Sequence, residues 1–149
     1  PMAVPIIRQL KEWANKDDFS TVILDVSPGA SCPVVEAIRD ADYLLLVTEP
    51  TPFGLHDLSL AVQLARSLNR PVGVILNRDG IGDGGVEEFC LQEEIEILAR
   101  IPYRRDIAEI LSQGQPLVDG LPEYEDLFLD VFQKILDQLN LSDSVGSAK

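Results

Sequence analysis

Three strand-end positions carry side chains suited to phosphate or base chemistry. Asp25 stands at the tip of an apolar, β-branched run, residues 21–26 (TVILDV), and Ser27, Pro28 and Gly29 follow it. A carboxylate at the end of a strand can hold Mg²⁺ through a water molecule opposite a phosphate-binding loop. A glycine just beyond lets the backbone approach a γ-phosphate and change position after hydrolysis. The same residues also suit a plain βα turn in which the aspartate bonds neighbouring amides, and the local sequence leaves both readings open. Asn77 ends the run VGVILN. Its amide offers the paired donor and acceptor that match the N6/N7 edge of adenine, although asparagine is common in turns for its own backbone bonding. Ile101, Pro102 and Tyr103 close a further apolar run, with Asp106 nearby. Proline there fixes the loop that turns toward a ligand edge; a turn capped by Asp106 is the plainer alternative.

Other residue types support less. Cys32 and Cys90 form no CxxC pair. Two thiols at that separation have neither zinc-site spacing nor the number needed for an iron–sulfur cluster. Both are expected to be buried or half-buried in a reducing compartment. His56 is the single histidine, which cannot build a metal site.

Elements able to position these residues follow from the apolar pattern. Val4, Ile7, Leu10 and Trp13 recur at helical spacing, and Pro5 fits the first turn of that helix. After the strand expected at 21–26, Pro33 begins a helix with Ser31 or Cys32 at its cap. Strands are then expected at 42–50, 70–78 and 95–103. The helices between and after them are expected at 55–69, 86–94 and 105–114, the last closed by a glycine cap. A final helix is expected over 122–140, with Leu127, Val131, Ile135 and Leu139 near one face, and the polar tail 142–149 is expected to be disordered. Wholly apolar strands separated by helices predict an α/β fold: a mostly parallel, Rossmann-like sheet with helices on both faces, in one domain over residues 1–141. Right-handed crossovers gather the βα loops on one edge, where ligands bind.

Charge narrows the partners. The chain of 149 residues carries 25 acidic against 12 basic side chains, a net charge of −13. Its few bases are not strongly clustered, so nucleic acid and anionic membrane are not expected as partners. The terminal helix sets Glu123, Glu125, Asp126, Asp130 and Asp137 against Lys134, which favours core packing over membrane anchoring. With no signal-peptide pattern at the first residues and no long apolar run, a cytoplasmic location is expected.

Four segments, TVILDVSPGASCPVVEAI, ADYLLLVTEPTPFGLHDL, RPVGVILNR and ARIPYRRDIAEILSQGQPLV, occur in an order and spacing that resemble the MinD/ParA superfamily of P-loop ATPases. Within that superfamily the chain is most similar to the group with an inserted ferredoxin-like domain, and the TEPTxxGLHDL stretch is the most specific part. The resemblance implies a Mg²⁺-associated acid at Asp25 and a γ-phosphate sensor loop at Pro28 and Gly29. It places Thr48 to Thr51 beside the nucleotide edge, near a dimer surface. It implies adenine contacts from Asn77 and Arg78, and a base wall from Ile101, Pro102 and Tyr103. ATP and Mg²⁺ are the implied cofactors of the longer protein.

The departures are equally informative. No Gly-rich K-G-G-x-G-K-[ST] loop and no cysteine-rich insertion occur in the chain, and Arg104 stands where the family usually has an acid. The resemblance places both missing parts ahead of Pro1, so the chain reads as a C-terminal portion, a partial P-loop NTPase domain. Charge-assisted bonds to phosphate contribute roughly 1.5–3 kcal/mol each, so little affinity for ATP is expected without the loop. No cofactor is expected on this chain itself, and iron–sulfur clusters are expected only in the insertion. In this fold the strand feeding the phosphate loop lies inside the sheet, so its loss leaves unpaired edges. The expected partners are the missing N-terminal half or another copy of the chain as a homo-oligomer, with iron–sulfur or redox proteins served by the longer protein. A stand-alone, non-catalytic protein-binding module is the alternative, and a related amidotransferase-type synthetase domain is a third reading.

Overall fold

A computed structural model describes residues 3–16 and 21–146. The element order is α1 (Ala3–Lys16), α2 (Cys32–Ile38), β1 (Leu44–Thr48), α3 (Pro52–Ser67), β2 (Val72–Asp79), α4 (Gly85–Gln92), β3 (Ile97–Pro102), α5 (Arg105–Ser112), α6 (Leu117–Gly120) and α7 (Glu123–Gly146). The strands form a parallel sheet in the order β1-β2-β3. The strands are mostly apolar, and β2, in the middle, is covered on both faces, which is the α/β arrangement expected from the sequence.

The two faces have separate cores. Val74 and Leu76 of β2 are fully buried against Leu58 and Val62 of α3 and Val86 and Cys90 of α4. Alternate residues point the other way: Ile75, with Leu98 and Ala99 of β3, packs on Val131 of α7, joined by Leu127 and Ile135. Burying each such side chain contributes about 1.5–3 kcal/mol. The acidic terminal helix is thus held by its apolar face. It extends beyond Asn140, its expected end, to Gly146.

One expected strand is absent. Residues 21–26 take no regular secondary structure and make no backbone–backbone hydrogen bond with any described residue, and Ile23 is 88% exposed. A strand needs a neighbour to satisfy its N–H and C=O groups, and β1 pairs only with β2 among the described residues. β-branched composition gives the tendency; the missing neighbour decides the outcome.

One helix start also departs from expectation. Helix α3 begins at Pro52 rather than residue 55, because the Thr51 hydroxyl accepts the Gly54 N–H at 3.0 Å and Pro52 is preset for the first turn. Leu10 and Trp13, whose spacing predicted the first helix, are more than half exposed. Helix α1 instead packs on α2 through a face that includes Lys11. The Lys11 ammonium donates to the Glu36 and Ala37 carbonyls at 3.1 and 3.3 Å and pairs with Asp40 at 3.0 Å, capping the C-terminus of α2. Arg8 bonds Glu36 at 2.6 Å and holds that carboxyl below the usual range.

Candidate functional site

The carboxyl ends of β2 and β3 bring together five of the residues singled out from the sequence. Asn77 pairs in register with Ile101, and Asp79 with Pro102; the register shifts between Asn77 and Asp79. At that irregularity Arg78 takes a left-handed backbone, φ 54°. Such a bulge re-aims a side chain at a strand end. The Arg78 guanidinium sits 6.0 Å from the centre of the Tyr103 ring and 3.4 Å from a Glu49 carboxylate oxygen. The Tyr103 N–H donates to the Asp79 carbonyl at 2.9 Å, fixing the loop after β3 against the end of β2. Tyr103 remains 65% exposed. Among the described residues, the half-buried Asn77 amide takes no side-chain hydrogen bond. A flat aromatic face, a cation beside it and an uncommitted amide can receive a planar heterocycle.

The first two βα loops touch at the same edge. Pro50 is buried, and a side chain at Gly82 would overlap the Pro50 carbonyl, so the loop after β2 reaches the loop after β1 only because residue 82 is glycine. Thr48, also buried, donates its hydroxyl to the Gly54 carbonyl at 3.0 Å. These contacts hold the segment 48–51 beside Arg78.

Sequence reasoning missed an ion cluster under this edge. Arg100 on β3 lies 3.4 Å from Asp79 and 3.1 Å from Glu87, and its charged form is strengthened first by the bond to Glu87. The signal was weak: one arginine within an otherwise apolar run. Arg104 pairs with Asp106, whose carboxyl is held below the usual range by that contact and also accepts the Ile107 N–H at 2.9 Å. Asp106 lies in the first turn of α5, whose N-cap is Arg104 with no side-chain cap bond, so the turn capped by Asp106 is not what forms. Arg105 pairs with Glu109 at 2.7 Å. The arginines nearest the edge are thus already engaged with carboxylates.

Asp25, Pro28 and Gly29 do not join this group through any described contact. Asp25 is exposed in the unpaired segment, beside a concavity of about 190 Å³ that Ile7, Leu10 and Lys11 of α1 also line. Gly29 has φ 108° at a bend, and that bend follows no strand. Among the described residues no group of three or more acidic, histidine or cysteine side chains could hold a metal ion. Asp25 stands by itself there, belonging to no such group among the described residues.

The cysteines differ from the expected pair. Cys90 is buried against α3 and its thiol is pushed up by burial, whereas Cys32 is exposed at the start of α2. His56 is also exposed and lines a shallow groove between α3 and α4. No helix of the described residues is long and apolar enough to cross a membrane.

Comparison with known proteins agrees with this architecture. No protein-family model matches the chain. An uncharacterized protein of Methanocaldococcus jannaschii is 33% identical over 122 residues, covering 82% of this chain and 40% of that protein. An iron–sulfur cluster carrier protein of Aquifex aeolicus is 29% identical over 145 residues, 86% of this chain and 39% of the relative. The solved cell division ATPase MinD of Pyrococcus furiosus superposes with a TM-score of 0.66 at 24% identity, over 92% of this chain and 59% of that one. The chain therefore spans only about two fifths to three fifths of the length of these proteins. Parallel strand order, strand-end residues and these likenesses converge: the chain is a MinD/ParA-like α/β domain that covers part of the length of such proteins.

Proposed function

We propose that this chain is the base-side, C-terminal portion of a MinD/ParA-like nucleotide-switch ATPase, with residues 1–141 as its folded unit. The observation that carries the reading is the juxtaposition of Asn77, Arg78 and Tyr103 at two neighbouring strand ends, open to solvent on one side. There the ring of Tyr103 offers stacking, the Asn77 amide a donor and an acceptor, and Ile101 and Pro102 an apolar wall. In the longer protein Asp25 is the Mg²⁺-associated acid, and Pro28 and Gly29 form the γ-phosphate sensor. That protein couples ATP binding and hydrolysis to a conformational change serving iron–sulfur or redox proteins in the cytoplasm. The likeness to an iron–sulfur cluster carrier supports this setting.

The chain alone lacks a grip on the phosphates. The sequence contains no Gly-rich phosphate loop. Arg78, Arg100, Arg104 and Arg105 each have a carboxylate partner. Calorimetric titration with Mg-ATP should give weak or undetectable binding, and micromolar affinity would overturn this part of the reading. Adenosine titrated against ¹⁵N-labelled protein should shift the amides of Asn77, Arg78 and Tyr103 before others. Shifts confined to another surface would remove the base-side assignment.

A further inference from the structure

The loop between β2 and α4, residues 80–84, reads GIGDG, three glycines in five residues. Gly80 and Gly84 both take positive φ, 102° and 81°. Such a segment has little preference of its own for one path, so its ends must be fixed from outside. Asp79 is its entrance, and Glu87, in the first turn of α4, lies just past its exit. Arg100 reaches both. Its Nη1 is 3.4 Å from Asp79 Oδ2 and 3.1 Å from Glu87 Oε1, so one nitrogen on β3 ties the two ends of the loop together. Register explains the reach: Arg100 pairs with Leu76, which packs in the core beneath α4.

The groups around this tie show what it holds. Among the described residues, Glu87 Oε2 is buried without a hydrogen-bond partner, and Arg100 is the cation that pairs with the same carboxylate. Removing Arg100 leaves a partly buried anion without its countercharge. Asp79 carries the other consequence. Its carbonyl accepts the Tyr103 N–H at 2.9 Å, and it follows Arg78, whose left-handed backbone sets the guanidinium beside the Tyr103 ring. A shift of Asp79 therefore moves both members of the pair that faces the base.

We infer that Arg100 is a positioning residue for the base-receiving edge: through Asp79 and Glu87 it holds the bulge at Arg78 and the loop at Tyr103 in the geometry that admits a planar heterocycle. Arg100 acts through Asp79 and needs no contact with the ligand. The inference rests on the base-side reading for its ligand, whereas the positioning itself is measured without one. Because a single nitrogen serves both carboxylates, a lysine ammonium can take its place, and a neutral glutamine cannot supply the charge.

Amide hydrogen exchange on the unliganded chain tests the positioning. The reference is Val74, whose N–H donates to the Glu96 carbonyl within the sheet. Arg100→Gln should cut protection of the Tyr103 amide about tenfold more than that of Val74. Arg100→Lys should restore most of the Tyr103 protection. Arg105→Gln, which removes an exposed pair with Glu109, should leave both amides unchanged. Adenosine, followed by the ¹⁵N shift of Asn77, should bind Arg100→Gln about fivefold more weakly than the unaltered chain, and Arg100→Lys nearly as well. Unchanged Tyr103 protection in Arg100→Gln, an equal fall at Tyr103 and Val74, no recovery with lysine, or the same loss from Arg105→Gln would each overturn the inference. So would an unaltered adenosine affinity in Arg100→Gln. If adenosine binds the unaltered chain nowhere, the base-side reading fails instead, and the exchange comparison still decides whether Arg100 holds Tyr103.

Discussion

Gly73→Ala probes the joint between the sheet and the terminal helix. Gly73 lies on β2 four residues before Asn77 and pairs with Leu45. A methyl group there would overlap the Tyr43 hydroxyl and come within 2.7 Å of Leu98 Cδ1 and 3.0 Å of Leu98 Cγ. Neither neighbour yields freely. The Tyr43 hydroxyl donates to Gln138 of α7 at 2.6 Å, and Leu98 is 3% exposed in the core beneath that helix. Three terms compete. Alanine gains about 0.5–1 kcal/mol over glycine in a strand interior. Overpacking costs about 1–3 kcal/mol, and displacing the tyrosine loses a hydrogen bond of about 0.5–1.5 kcal/mol. The net expectation is a loss of about 1–3 kcal/mol, measurable by urea unfolding followed by circular dichroism. The mechanism predicts coupling as well as loss. In a Gly73→Ala, Tyr43→Phe double variant the hydroxyl that meets the new methyl is gone, so the double loss should fall short of the two single losses added together. A neutral or stabilising Gly73→Ala, or strict additivity in the cycle, would refute the reasoning.

Two further outcomes follow from buried ionisable groups. The Tyr43 phenol is pushed up to about 12, first by burial and then by the Glu96 charge. A folded-state value above the unfolded one means that the folded protein holds this proton more tightly. Its contribution is therefore complete below about pH 10 and declines as pH rises toward about 12. Absorbance titration should show one of the three tyrosines ionising late, and Tyr43→Phe should flatten the fall in stability over that range; an unchanged slope would assign the fall to other groups. Thiol labelling should separate the cysteines: Cys32 reacts promptly, while Cys90, 1% exposed, reacts only when the chain opens. Equal rates under native conditions would contradict the burial of Cys90.

Much of the fold was legible because local rules and global packing agree there. The runs that became β1, β2 and β3 are mostly apolar and are separated by helices, so a parallel sheet packed between helices was readable from them alone. The glycine cap after α5 was readable too, since Gly114 takes the positive φ of 72° that closes such a helix. The candidate site was partly readable. Asn77 and Ile101 each end an apolar run, and parallel register does bring those ends together. Arg78 stacking beside Tyr103 depends on a left-handed backbone at a bulge, which no residue pattern announced.

The segment 21–26 separates what composition determines from what pairing decides. Its residues have the β-branched, apolar character of a strand, and by side-chain propensity nothing distinguishes them from Leu44–Thr48. One run became β1 and the other stayed unpaired, because a strand exists only where a second backbone accepts its hydrogen bonds. The sequence alone determined an acidic α/β domain with its chemistry at strand tips. Only the tertiary structure decided which tips meet: those of β2 and β3 do, while Asp25 lies beside α1, on a segment that pairs with no strand among the described residues.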